Sequence, residues 1–470
     1  MAIYFTEGEV KNRPGVYQRH TNVGHPKANT ATDGICAIPI QAAWGPLGTV
    51  VKNTTTADLK NNYGTGTYGA GFTVPAAAAM FNAGASTVYT YRLGTGGKQA
   101  SLTVDGLTIT AKYPGTMPIS VAVQSKLGDA SKKQFIVYVG TTQAEIWEFA
   151  ADSTAEGANL IAATADSKYV TVTGEAATVA ALTVATGALT GGENPTVTNE
   201  DYSKAFAALE VSYYNCIALD VDDDADMTLS LMLQEYMANA RQFGKLGMAV
   251  VGEKTTVAFE TRLAHASAFN DGNVVYLGGG YMAGKQSKDG VLAICRAAGD
   301  IAKTPSNEGI THAVIDEATD LCETLTFAQY VAAINAGALM LSKSPNGDIW
   351  YDSGITTLID PEPGTQDDGW KKIRRAKTRY ELIDRLDRAL APKVGRVSAD
   401  SDGIADIIQT GRRVLDAMVT ERKLLPGATF TEDIENPFSG DSAHFIIQAD
   451  DIDSLEMIYL QYQFRYSQNS

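Results

Sequence analysis

The sequence predicts a multidomain α+β protein, and three observations carry that prediction. The chain has 470 residues, more than one ordinary core fills, so two or three domains are expected. Strand-like and helix-like segments alternate over 34–94 and again over 199–359, the pattern of a layered α/β domain. Between them the texture changes to short alternating runs rich in Thr, Val and Ala, which predict a small β-sandwich or barrel.

Composition narrows the class. Hydrophobic content of 44% and charged content of 20% fit folded, soluble protein. A net charge of −16 and a pI near 4.8 argue against non-specific binding to nucleic acid or anionic membrane. Cys36, Cys216, Cys295 and Cys322 are far apart in apolar contexts, which reads as free buried thiols in a reducing compartment. The start, Met1-Ala2-Ile3-Tyr4-Phe5, lacks the charged region and apolar core of a signal peptide. No apolar run approaches the ~18 residues of a membrane span. A cytoplasmic chain is expected.

In order, residues 1–20 read as an exposed arm ending in the Pro14-Gly15 turn, and 21–32 as a linker broken by Pro26. Ile35–Ile40 is a buried strand, short helices begin near Ala57 and Pro75, and Ser86–Leu93 is a strand. The β-rich stretch holds the pairs Leu102/Val104, Leu107/Ile109 and Phe135/Val137, with Asp105-Gly106 and Gly128-Asp129 as turns. Gly96-Gly97 and Gly191-Gly192 resemble the stalks of an insertion. Helices are then expected at 202–209, 228–243, 256–266, 291–302 and 326–336. Strands are expected at 217–220, 248–251, 274–277 and 355–359, with a hairpin tip at Ser344–Asp348.

The last fifth of the chain opens on six basic residues without an acid: Lys371, Lys372, Arg374, Arg375, Lys377 and Arg379. They form either a solvated helical face or a patch turned to something acidic. Tyr380, Ile383, Leu386 and Leu390 continue at helical spacing, and a second amphipathic helix runs from about Ser401 to Pro426-Gly427. A strand around Phe445 and Ile447, an acidic turn at 450–453 and a final strand follow. In that strand Ile458, Leu460, Tyr462, Phe464 and Tyr466 share one face, opposite Gln461, Gln463 and Arg465.

Chemistry is only approached. Gly279 to Gln286 has the glycines and lysine of a phosphate-binding loop, but Gln286 stands where a hydroxyl must meet Mg²⁺. A nucleotide-binding enzyme is the remote alternative it leaves; a glycine-rich turn between strand and helix is the plainer one. The acids Asp220, Asp222, Asp223, Asp224 and Asp226 read as caps of the helix at 228, with a weak divalent-ion site as the other option. His20, His25, His265, His312 and His444 have no metal-ligand spacing, and no Gly-x-Ser-x-Gly elbow occurs. No enzyme, cofactor or metal is expected.

Helix, helix, strand, acidic turn and strand, with Asp453-Ser454-Leu455-Glu456-Met457-Ile458-Tyr459, resembles the C-terminal domain of contractile phage tail sheath proteins. Asn12-Arg13-Pro14-Gly15-Val16-Tyr17 resembles the N-terminal signature of the same family. The likeness brackets the chain, with Leu455 where the family often has Met. It implies a subtilisin-like α/β central domain over 21–94 and 193–359, with an inserted β-sandwich over 95–192. It also implies an N-terminal arm over 1–20 and a small α+β C-terminal domain over 360–470, with exchanged terminal strands. The arm contacts would be Ile3, Tyr4, Phe5, Val10, Val16 and Tyr17 at one end, and Ile458, Leu460, Tyr462, Phe464 and Tyr466 at the other. The basic run from Lys371 to Arg379 would face a tail tube. Implied partners are further copies in stacked hexameric rings, the tube, and baseplate and terminator proteins, without nucleic acid or membrane. The protein would lie in the virion after assembly in the host cytoplasm. A bacteriocin or injection-system sheath without a genome is the alternative, and it differs in neighbouring genes.

Overall fold

The computed structural model describes residues 3–4, 17–18, 33–69, 71–151, 154–174, 181–183, 185–222, 226–362, 364 and 366–465. They form a mixed α+β structure in two compact units, residues 32–380 with 451–470, and residues 1–31 with 381–450.

Two short strands come first, β1 (Ile3–Tyr4) and β2 (Tyr17–Gln18), paired in parallel. The large unit then begins with β3 (Ile35–Ile40), β4 (Val50–Asn53), α1 (Thr56–Tyr63), α2 (Val74–Ala83) and β5 (Thr87–Arg92). Strands β6 (Ser101–Val104), β7 (Leu107–Ala111), β8 (Ile119–Ser125), β9 (Lys132–Val139) and β10 (Thr142–Ala150) lead to α3 (Glu156–Ala163). After it come β11 (Val170–Gly174) and β12 (Ala185–Ala188). These strands make two antiparallel sheets, β10-β9-β8-β12 and β11-β7-β6. Leu107, Ile109, Val121, Phe135, Val137, Phe149 and Leu160 fill the space between them. The two strands of chain entering and leaving this layer are bridged at Thr95–Thr196 and Lys98–Glu193.

The α/β part resumes with α4 (Asn199–Leu209), β13 (Cys216–Ala218), α5 (Thr228–Gln242), β14 (Met248–Gly252), α6 (Phe259–Phe269) and β15 (Val274–Leu277). A hairpin, β16 (Tyr281–Ala283) and β17 (Gln286–Lys288), precedes α7 (Val291–Lys303). Then follow β18 (Asp320–Leu321), α8 (Phe327–Asn335), β19 (Ala338–Leu339), β20 (Leu341–Lys343) and β21 (Ile349–Tyr351). Seven strands form one sheet in the order β19-β15-β14-β13-β3-β5-β4, parallel except for the edge strand β4. Helices cover both faces, so β3, β14 and β15 are buried at every position, as continuous apolar runs require. Pro39 is tolerated in β3 because β13 pairs only with Cys36 and Ala37, leaving Pro39 beyond that ladder. Helices α1, α2 and α7 share one core with the start of the later helix α9. Helices α4, α5, α6 and α8 pack on the other face.

Local signals set the helix ends. Thr55 with Asp58, Thr198 with Asp201 and Thr326 with Gln329 form capping boxes at α1, α4 and α8. Gly84 closes α2 in the left-handed conformation.

The small unit contains most of α9 (Ile373–Leu390), then α10 (Ser401–Thr420), β22 (Thr429–Glu432) and β23 (Phe445–Gln448). Asp400 caps α10 through the Gly403 amide at 2.8 Å. The two strands are antiparallel and form a sheet of their own. Its core is Leu386, Leu415, Met418, Leu424 and Phe430. Gly411 lies under Phe430, where an added Cβ would sit 2.3 Å from the ring.

Two expected strands are absent as strands. Residues 355–359 make one bridge, Ile355–Lys372, because the Thr356 amide donates to the Lys371 carbonyl and the Thr357 amide to the Val274 carbonyl, in two different segments. The final segment, 452–465, has no ladder partner among the described residues, and without one an alternating sequence is not a strand.

Candidate assembly interface

The basic run at the start of α9 is turned toward the chain's own C-terminal arm. Arg375 grips Asp451 with a fork, Nε to Oδ2 and Nη2 to Oδ1, both at 2.8 Å. Arg379 adds longer bonds to the same carboxylate and binds Asp367 at 2.7 Å, with its guanidinium over the Trp370 ring. Lys372 pairs with Glu456, whose other oxygen accepts from Thr311 Oγ1 at 2.9 Å. Arg374 donates to Ser454 Oγ at 3.0 Å, and Lys371 pairs with Asp368. Lys377 is buried and donates to the Ile301 and Thr304 carbonyls, closing the last turn of α7. The run is thus largely paired within the chain: Lys377 is buried and the other five are half-buried. Asp451 is 8% exposed, and its two arginines hold its carboxyl below the usual carboxylate range despite burial.

Past Glu456 the arm changes character. Met457, Ile458, Leu460 and Tyr462 are 69–73% exposed and Phe464 is 94% exposed. The Tyr462 and Phe464 rings stack with centroids 6.3 Å apart, so these two side chains lie side by side. Burying each such side chain is worth about 1.5–3 kcal/mol.

The small unit carries a sheet of only two strands. Ile446 and Ile447 of β23 are about half exposed, at 43% and 40%, on a sheet of the size that is marginal alone. A buried ion cluster stiffens the helices under it. Arg385 forks onto Glu421 at 2.7 and 2.9 Å, and Lys423 reaches Glu381 at 2.6 Å. That cluster pulls Glu421 down to about 2.

At the other end, Ile3 and Tyr4 pair with Tyr17 and Gln18, while Phe5, Val10, Val16 and Tyr466 lie outside the described residues. The glycine-rich stretch at 279–286 lies between a strand and a helix, as expected, but is more than a turn. It folds as the β16–β17 hairpin, with Gly284 at φ +60 and Lys285 exposed at the tip, and α7 begins only at Val291. No phosphate cradle forms there, because a hairpin pairs its amides in a ladder.

The acidic run also departs from expectation. Asp220 is buried, accepting from Tyr202 Oη, Thr73 Oγ1 and Gln41 Nε2, and desolvation raises its pKa. Asp222 caps α7, not α5. It accepts from the Val291 amide at 2.9 Å and from Lys254, and Gly290 is needed there because a Cβ would meet its oxygen at 1.9 Å. His265 is no bare surface residue: its Nδ1 lies 2.8 Å from Glu253, which also accepts from Tyr276 Oη. His312 stacks on Trp350. Among the described residues no cluster of His, Cys, Asp and Glu is arranged to hold a metal, and no helix is long and apolar enough to cross a membrane.

Sequence reasoning noted the basic run and the acidic turn separately, but not that one holds the other. Their opposite charge was the available signal. It also missed β22 and α3.

A half-exposed two-stranded sheet and a bare apolar arm are hazards unless other chains cover them, which is the condition of a self-associating structural protein. The model of the phage tail sheath protein central domain matches residues 195–356, and that of the phage tail sheath β-sandwich domain matches 95–194. Together they take in more than half of the chain, which belongs to the phage tail sheath protein family.

Protein XkdK of the phage-like element PBSX of Bacillus subtilis is 27% identical over 227 residues, covering 46% of this chain and 48% of that protein. The chain thus spans about half the length of the curated relatives it matches. The crystal structure of a sheath tail protein from Desulfitobacterium hafniense matches with a TM-score of 0.71 at 21% identity, over 93% of this chain and all of that one. The helical sheath of the anti-feeding prophage in its contracted state matches at 0.53 and 10% identity, over 97% and 99%. These likenesses concern the fold.

Proposed function

We propose that the chain is the structural subunit of a contractile tail sheath, polymerising around a tail tube and contracting to drive it through a target cell envelope for genome delivery. The observation that carries this is the arm tip, 457–465, which is apolar, bare and without a ladder in a chain of the sheath family. In this reading the arm adds a strand to the β22–β23 sheet of another copy, by main-chain bonds that tolerate rotation of the bodies they join. Ile458, Leu460, Tyr462, Phe464 and Tyr466 fill alternate sites, and the N-terminal residues Ile3, Tyr4, Phe5, Val10, Val16 and Tyr17 serve the same sheets.

The copies stack as six-fold rings, with tube, baseplate and terminator as further partners, in a virion assembled in the host cytoplasm. The role is mechanical, and no turnover is expected. The parallel seven-stranded sheet supports a subtilisin-like centre over 21–94 and 193–359, with the sandwich of 95–192 as an insertion. The arm of 1–20 and the inner domain of 360–470 complete this organisation. The basic residues Lys371, Lys372, Arg374, Arg375, Lys377 and Arg379 were the expected tube contacts; their intrachain pairing supports a structural role first, with tube contact left to the surface beside those pairs.

Negative-stain electron microscopy of the full chain and of a version lacking 457–470 tests the reading. Striated hollow tubes from the first and dispersed monomers from the second are expected. Dispersed particles from both at high protein concentration would overturn it.

A further inference from the structure

The arm has two chemically distinct parts, and only the second is needed for strand addition. The first, 451–456, lies on the large unit and reads Asp-Ile-Asp-Ser-Leu-Glu. Its polar residues meet a matched row at the start of α9 and just before it: Asp451 takes the Arg375 fork and Arg379, Ser454 takes Arg374, and Glu456 takes Lys372, with Thr311 donating to its other oxygen. Thr311 is itself fixed, since its Oγ1 accepts from the Gly354 amide at 2.8 Å. The fit is close at Gly309, where a Cβ would stand 2.9 Å from Ser454 Oγ. Leu455 contributes little, being 83% exposed, while Ile452 is half-buried.

We propose that Lys372, Arg374, Arg375 and Arg379 form an ionic clasp that fixes where the C-terminal arm leaves the large unit. The arm's free reach then begins at Met457. Opening the clasp frees six further residues, which at ~3.3–3.6 Å per residue lengthens the reach by ~20 Å. Arg379 also holds Asp367, so one arginine ties the arm root to the loop before α9. Salt weakens the hold only in part, because half-buried pairs such as Arg375–Asp451 are screened much less than exposed ones. The consequence for reach rests on the proposed strand exchange; the clasp does not.

Limited proteolysis of the dispersed full-length protein tests the clasp without requiring tubes. Chymotrypsin, cutting the apolar tip, is expected to act equally at 50 mM and 1 M NaCl. A protease that cleaves before Asp is expected to cut at Asp453 slowly in the wild type at 50 mM and on the order of tenfold faster in Arg375→Gln. Wild type at 1 M should be cut faster than at 50 mM yet more slowly than the variant, with a free peptide of residues 448–465 correcting for salt effects on the enzyme. Glu456→Gln gives the second test if Arg375→Gln lowers the melting temperature of the whole chain. Equal cleavage before Asp453 in wild type and both variants at 50 mM overturns the clasp, whether or not the protein forms tubes. Faster cleavage in a protein that forms no tubes would leave the clasp standing and count against the sheath reading alone.

Discussion

The root and the tip of the C-terminal arm are neighbours in sequence and opposites in chemistry. Residues 451–456 are acidic and held by four basic side chains, whereas 457–465 are apolar and held by nothing among the described residues. The root is held by polar bonds within the large unit. The tip violates the rule that apolar side chains leave water, at several kcal/mol in total. A chain that satisfies one half and leaves the other bare has placed its binding energy where another chain can use it.

The sharpest way to break this contrast is to charge the tip. Ile458→Asp with Leu460→Asp should remove about 3–6 kcal/mol from each arm contact and abolish tubes in the electron microscope. Their melting temperature should match the wild type, because Ile458 and Leu460 are 69% and 70% exposed. A melting temperature that drops with them would show the tip packed at home.

The acceptor side comes next. Phe430 is 1% exposed and packs on Phe445 at 5.3 Å, so Phe430→Ala should cost the small unit about 3–5 kcal/mol, read by chemical denaturation. Gly411→Ala, pressing a methyl into the same ring, should cost about 1–3 kcal/mol. Both should weaken assembly through the fold, unlike the tip variants.

Acid sharpens the comparison further. Glu421 has its pKa lowered to about 2 by Arg385 and Lys423, so its contribution is complete above the ordinary carboxylate value and is lost as pH falls through about 2. Glu421→Gln should therefore lower the small unit's stability at pH 7 and flatten its decline in acid, measured by denaturant midpoints across pH. The smallest effect belongs to Lys285→Ala. At an exposed hairpin tip it should change stability by less than about 0.5 kcal/mol, and Mg-nucleotide should shift neither protein's melting temperature.

Much of the fold was legible because its signals are local. Ile35–Ile40, Met248–Gly252 and Val274–Leu277 are uninterrupted apolar runs, and strands buried on both faces must read that way. The helix expected from 326 begins at Phe327, behind the Thr326–Gln329 capping box. What escaped was long-range. Asp222 looks like a cap for the next helix and caps one about seventy residues on, since only the folded sheet brings Gly290 beside it. Residues 355–359 read as a strand, but the amides of Thr356 and Thr357 donate to carbonyls of two different segments. The arm was visible as a pattern, while the bond between its root and α9 required two segments some eighty residues apart to be read together.

The most direct measurement is a cryo-electron microscopy reconstruction of assembled tubes, at a resolution that traces residues 457–465. The account predicts that this segment leaves its own large unit at Met457 and runs as a strand beside β22 or β23 of another copy. Density showing 457–465 folded back on its own chain, with the β22–β23 sheets left two-stranded, would contradict it.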